Sequence, residues 1–172
     1  MKIRIIGGPG SGKSSLAAAL SKKFKIPCLD LDDIYWSNEC TGFGVKADAE
    51  KRDRAPNGFL RQSSWIVEGV YCKWGVESFT QADVVIMLTP SVLVRGWRIM
   101  KRYCWRKFAL APSKKKETIR TLYRLLVWNH GYNRNYFSLA REMMLALNIQ
   151  PLLVRNWREV FKLLEDKAAQ KC

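Results

Sequence analysis

Apolar residues come in short runs along the chain, and the stretches between them repeat at helical spacing. Lys2–Ile6 (KIRII) is a β-rich run that ends in a glycine cluster. Leu16, Ala17, Leu20 and Phe24 then share one helix face, which predicts a helix over 13–24. Ile26–Leu31, broken by Asp30, predicts a second strand, and Trp65–Val67, closed by Glu68-Gly69, a third. Val84–Leu88, entered from Asp83, predicts a fourth strand, and Pro90 opens a long basic helix that reaches about Phe108. Pro112 and Ser113 break that helix. Residues 117–147 read as helical with an interruption near Gly131, Pro151–Val154 as a fifth strand, and 157–167 as a closing helix. Gly42, Gly44, Pro56 and Gly58 mark 37–58 as a mobile loop with a short helix. Strands alternating with helices predict an α/β fold, a parallel sheet with helices on both faces. The 172 residues make one domain, 1–172, with no internal repeat.

Composition narrows the class. At 48% apolar and 26% charged residues the chain is an ordinary globular protein rather than a disordered one. The longest apolar stretch, Val84–Val94, contains Thr89, Pro90 and Ser91, far short of a membrane span of about twenty residues. The apolar run after Met1 is too short for an export signal. Five cysteines (Cys28, Cys40, Cys72, Cys104 and Cys172) contain no CxxC pair, which predicts reduced thiols in a cytoplasmic protein and neither a zinc site nor a disulfide framework. His130 is the single histidine, so no mechanism needing two is open. The outlier is the net charge of +15. Residues 1–90 carry twelve basic and ten acidic residues, residues 142–172 five and four, and residues 91–141 thirteen and one. The excess therefore sits in one block, which reads as a surface for an anionic partner.

Gly7-Gly8-Pro9-Gly10-Ser11-Gly12-Lys13-Ser14 fits G-x-x-x-x-G-K-[ST] without mismatch and sits between a strand and a helix, as that motif must. Main-chain N–H groups surround a phosphate only where no Cβ intrudes, and the following helix points its positive end at the same anion. Gly7 to Ser15 are thus the candidate ATP-binding residues. Lys13 would reach the β- and γ-phosphates, and the Ser14 hydroxyl would hold Mg²⁺.

Asp30, Asp32 and Asp33 close the second strand, on the edge where open parallel sheets bind ligands. A carboxylate there can accept the proton of an acceptor hydroxyl, hold Mg²⁺ through water, or simply cap a helix. Asp30 reads as the structural member, while Asp32 stays open between function and cap. Glu68 closes the third strand and suits either a Mg²⁺-organising carboxylate or an ion pair. Asp83 lies at the opposite end of its strand, away from the chemistry. Arg95, Arg98, Arg102 and Arg106 span an arc of about 80° and so form one helix stripe. Arginine grips phosphate oxygens bidentately, so the first three are candidate transition-state residues. Arg106, Lys107 and the run Lys114-Lys115-Lys116 read as solvated charge.

Taken together, GGPGSGKSSLA, IPCLDLDDIYW, SSWIVEGVY and ADVVIMLTPSVLVRGWRIMKR resemble the adenylate-kinase-related P-loop proteins called DNA topology modulation proteins. The resemblance covers roughly residues 1–107. It implies a nucleoside-monophosphate-kinase-like P-loop NTPase fold, a three-layer sandwich with a five-stranded parallel sheet, ATP in the phosphate loop and a helical, arginine-bearing lid within 91–141. It carries Arg95, Arg98 and Arg102 to the lid and sets Asp32 and Glu68 beside the acceptor. Glu68 departs from the aspartate common in such proteins, and 37–58 holds no recognisable acceptor signature.

Two readings follow. One is a kinase that uses ATP and Mg²⁺ to phosphorylate a small-molecule or nucleotide acceptor through Lys13, the lid arginines, Asp32 and Glu68. The other is a nucleic-acid-associated ATP-binding protein that contacts phosphate backbones through the 91–141 block. In the second case affinity for DNA should fall with salt by a slope of about −0.9 per phosphate contacted. The kinase reading is preferred, because the phosphate loop and the arginines then serve one mechanism.

Overall fold

The computed structural model describes residues 1–35, 56–72, 74–108 and 118–169. Its strands are β1 (Lys2–Gly7), β2 (Cys28–Asp30), β3 (Trp65–Glu68), β4 (Val84–Leu88) and β5 (Leu152–Val154). They form one parallel sheet in the order β2-β3-β1-β4-β5. The first strand in the chain is therefore the middle of the sheet, and five of its six residues are buried, as expected of a strand covered on both faces.

Alternation along the strands sorts side chains into two layers. Ile3, Ile5, Ile86 and Leu88 pack with Leu16 and Leu20 of α1 (Lys13–Phe24) and with Val160 and Leu164 of the C-terminal helix. Ile6, Val85 and Met87 face the other way, against Phe79, Ala140 and Met144. A third cluster under the β2–β3 edge joins Leu31, Leu60, Trp65, Val67 and Trp74. The remaining helices are α2 (Leu31–Tyr35), α3 (Glu77–Thr80), α4 (Val92–Lys107), α5 (Ile119–Tyr132), α6 (Ser138–Ala146) and α7 (Arg158–Ala169). A π-helical turn, Asn133–Phe137, joins α5 to α6.

The three-layer α/β architecture with a five-stranded parallel sheet is as the sequence predicts. Boundaries differ in instructive ways. The helix after Pro90 begins at Val92, because the Ser91 side chain accepts the Val94 N–H and caps it. The interruption expected near Gly131 is the π turn that starts two residues later. The second strand is only Cys28–Asp30, since Lys25 ends α1 in a left-handed conformation (φ 53°) and Ile26 turns into the core. Residues 36–55 and 109–117, which include most of the expected 37–58 loop, Pro112, Ser113 and Lys114–Lys116, lie outside the described residues.

Candidate active site

The loop from β1 to α1 folds back on itself, with the Ser11 N–H donating to the Gly8 carbonyl at 3.1 Å. Gly10 has φ +71°, a conformation L-residues avoid, and a Cβ there would lie 2.5 Å from the main-chain oxygen of Arg95. A Cβ on Gly8 would lie 2.8 Å from the Tyr132 ring. α1 starts after Gly12 with no side chain capping it, so the N–H groups of its first turn stay available to an anion. Ser14 and Ser15 are exposed at that end.

Lys13 joins this loop to the neighbouring strand. Its Nζ lies 3.6 Å from Oε2 of Glu68, a carboxylate only 1% exposed, while Lys13 itself is 11% exposed. Neither Glu68 oxygen accepts a hydrogen bond. A buried carboxylate with one ion-pair partner and no hydrogen-bond donor is under-satisfied.

β2 sets a second carboxylate beside the first, because Asp30 is the register partner of Glu68. Burial and then the Glu68 charge push the Asp30 carboxyl up to about 7. Asp30 Oδ1 also accepts the Asp32 N–H at 2.8 Å, which is the structural role expected of it. Asp32 Oδ1 accepts the Tyr71 hydroxyl at 2.8 Å, and burial together with the Asp32 charge raises the Tyr71 pKa. The Tyr71 ring stacks on Tyr35 at 4.6 Å and tilts against Trp74 at 4.9 Å. Asp83 instead accepts the Lys2 main-chain N–H at the far end of β4.

The arginine stripe of α4 divides. Arg98 reaches the phosphate loop, its Nη1 donating to the Ser11 carbonyl at 3.0 Å. Arg95 is 1% exposed. Its Nη2 donates to the Asn129 carbonyl and its guanidinium lies over the Tyr132 ring, so it ties α4 to α5 beneath the loop. Burial lowers its pKa. Arg102 is exposed one turn beyond Arg98. Trp97, Trp105 and Phe108 are exposed while Tyr103 is buried, so the aromatics of this helix form no single face.

The donor set suits Mg²⁺, which is held by a hydroxyl or one or two carboxylates together with substrate phosphates rather than by a protein cage. Ser14 and Glu68 are groups of that kind. Among the described residues no cluster of three or more His, Cys, Asp or Glu could hold a metal by itself, and no helix is long and apolar enough to cross a membrane.

Residues 3–104, which include the phosphate loop and most of α4, match the family described as the AAA domain. The chain belongs to the AAA domain family. The chain is 34% identical over 133 residues to the uncharacterized protein YqaC of Bacillus subtilis (strain 168), covering 76% of this chain and 72% of that one. A 49-residue segment is 39% identical to the adenylate kinase of Rhodococcus erythropolis (strain PR4 / NBRC 100887), 27% of either chain. Over the full length of both chains the fold is similar to a deoxyadenosine kinase from M. mycoides, solved with the products dCMP and a flexible dCDP bound, with a TM-score of 0.58 and 18% identity. Family and fold together make the chain a P-loop NTPase with the architecture of small kinases.

Several site residues escape the sequence pattern. Arg4, fully buried in mid-strand, donates to the carbonyls of Ile5, Val67, Gly69 and Tyr71 and so holds the turn after Glu68. Burial lowers its pKa to about 10. Its one signal is an arginine among isoleucines in a strand with both faces covered. Asn129 and Tyr132 carry no signal at all, since they matter only through Arg95 and Gly8. Tyr71 stands in the WIVEGVY stretch, but its pairing with Asp32 is visible only once β2 and β3 are side by side.

Proposed function

We propose that the protein is an ATP-dependent phosphotransferase that uses Mg²⁺ and moves the γ-phosphoryl group to an acceptor hydroxyl beside Glu68. The observation that carries this reading is the Lys13–Glu68 contact, which links the phosphate loop to a buried, under-satisfied carboxylate at the sheet's ligand edge. Gly7 to Ser15 would cradle ATP, Ser14 would hold Mg²⁺, and Mg²⁺ when bound neutralises phosphate charge. As Lys13 turns to the phosphates it leaves Glu68 without its cation, and the carboxylate becomes a proton acceptor. The acceptor oxygen forms its bond to the γ-phosphorus, the bridging P–O bond breaks towards ADP, and the hydroxyl proton passes to Glu68. Arg98, already on the loop, and Arg102 beside it would stabilise charge on the moving group, and Asp32 would orient the acceptor. Arg95 would position α4 rather than touch phosphate. Among the described residues, the free thiols at Cys28 and Cys104 fit the cytoplasmic setting such chemistry uses.

The test is acceptor-dependent ADP formation, screened over nucleosides, nucleotides, small sugars and nucleic-acid ends. Lys13→Ala should abolish it, and an unchanged rate in that variant would sink the reading. Arg98→Ala should lower kcat by about 10² to 10³ with ATP affinity nearly kept.

A further inference from the structure

The pair of helices α4 and α5 has an outer side that is apolar and basic at once. Within α4, Arg95, Ile99 and Tyr103 turn inward and are buried. On the opposite side Leu93, Trp97 and Met100 fall within an arc of about 60° and are exposed, Leu93 at 84%. Along α5, Ile119, Tyr123 and Val127 recur every fourth residue and are exposed too, Ile119 at 71%. α5 runs back along α4, with Asn129 Nδ2 donating to the Val92 carbonyl and Asn129 and Leu126 set against Gly96. On each helix the exposed stripe follows this contact line by about a quarter turn in the sense of the chain. In two antiparallel helices that places both stripes on one side of the pair. The same two helices hold six Lys and Arg in α4 and two in α5, with no Asp or Glu in either, and Lys101, Arg120 and Arg124 are exposed. Single exposed apolar residues are ordinary, but six large ones on one face mark a contact surface.

We propose that this face docks on the surface of an anionic lipid bilayer, its apolar side chains entering the boundary between headgroups and acyl chains and its basic residues meeting the lipid phosphates. Charge complementarity and side-chain type together select this partner. A second copy laid on the same face would set lysine and arginine against lysine and arginine. A nucleic-acid strand would satisfy the cations and stack on Trp97 and Tyr123, but it offers Leu93, Ile119 and Val127 nothing apolar to enter. A bilayer serves both kinds of residue. Aliphatic tips pass into hydrocarbon, while tryptophan and tyrosine settle at the level of the headgroups. The Arg95 main chain and the Ile99 side chain meet Gly10 from the inner side of α4, so docking by the outer side does not engage the nucleotide loop. The proposal therefore stands apart from the phosphotransferase reading.

The experiment is co-sedimentation of the full chain with vesicles of phosphatidylcholine alone or mixed with phosphatidylglycerol. Partitioning into the mixed vesicles should exceed that into the neutral ones by about 100-fold or more, since each basic residue near an anionic surface contributes about fivefold. Leu93→Ser combined with Trp97→Ser leaves every charge in place and should weaken partitioning by about tenfold or more. Arg120→Gln combined with Arg124→Gln should weaken it by a similar factor. Thermal melts confirm that both variants fold. Partitioning that the Leu93 and Trp97 substitutions leave unchanged overturns the proposal, because charge alone then holds the protein. Absence of partitioning into the mixed vesicles overturns it too. So does a dimer in sedimentation velocity, or binding of a single-stranded oligonucleotide, that the Leu93 and Trp97 substitutions abolish while vesicle partitioning is untouched.

Discussion

A carboxyl group beside a second buried carboxylate is costly to ionise, and Asp30 stands in that relation to Glu68. Its ordinary value of 3.8 rises to about 7 in the folded chain. Below pH of about 4 both folded and unfolded chains hold the proton, and Asp30 has no effect on stability. Between about 4 and 7 the unfolded chain releases the proton while the folded chain keeps it, so the Asp30 contribution to stability falls as pH rises through that window. Asp30→Asn, whose amide oxygen still accepts the Asp32 N–H, removes the effect. The difference in Tm, variant minus wild type, should therefore grow from pH 4 to pH 8, as read by thermal melts. A difference that stays constant over this range would refute the assignment. Such a residue is only half legible in the sequence. That Asp30 is a helix-start residue follows from its neighbours in the chain, but its proton affinity depends on Glu68, thirty-eight positions away, and on which strands become adjacent.

At the level of elements, α4 is built into the nucleotide loop. Its main chain meets Gly10, its Ile99 side chain would lie 3.0 Å from a Cβ there, and its Arg98 bonds Ser11. Gly10→Ala combines an unfavourable φ, worth about 1 kcal/mol or more, with a collision against a main-chain atom. It should lower both stability in urea unfolding and ATP affinity in titration, whereas Arg98→Ala should stay within about 0.5 kcal/mol of the wild-type stability. A Gly10→Ala protein that keeps wild-type stability would show that the loop and α4 are not in contact. The loop and helix are each legible, the one from its glycine spacing and the other from Ser91 and the basic run. Their contact is not, because nothing local in either marks the other as its neighbour. Arg95 makes the same point: its helical spacing groups it with Arg98, yet the fold turns its guanidinium to Asn129 and Tyr132 behind Gly8, while Arg98 hydrogen-bonds the loop at Ser11. The sheet order was open to prediction only as far as strands alternate with helices. Of the π turn at Asn133–Phe137 only an interruption near Gly131 is legible, not its form.

For the whole molecule, thirty basic residues against fifteen acidic ones make the compact state self-repelling. Raising salt from about 10 mM to about 1 M shortens the screening length from about 30 Å to about 3 Å. Tm should rise with NaCl through the first part of this range. A doubly substituted protein, Arg120→Gln with Arg124→Gln, removes two exposed charges from the densest block and should rise less. Equal slopes for the two proteins would assign the salt response to something other than the basic block. The same block explains why total charge alone says little about partners, since Arg95 is consumed inside the fold and Arg98 at the nucleotide loop, while Lys101, Arg102, Arg120 and Arg124 remain on the surface.

The squeeze on Gly8 and Gly10 from Tyr132 and Arg95 has an evolutionary consequence. These glycines are required by packing behind the loop as well as by any phosphate in front of it. A descendant that abandoned nucleotide chemistry altogether would still be purged of larger residues at both positions, and its sequence would keep the look of a nucleotide loop. In such lineages Lys13 and Glu68, which no packing demand protects in the same way, would be the first to drift, and their joint presence is the better mark of a working enzyme.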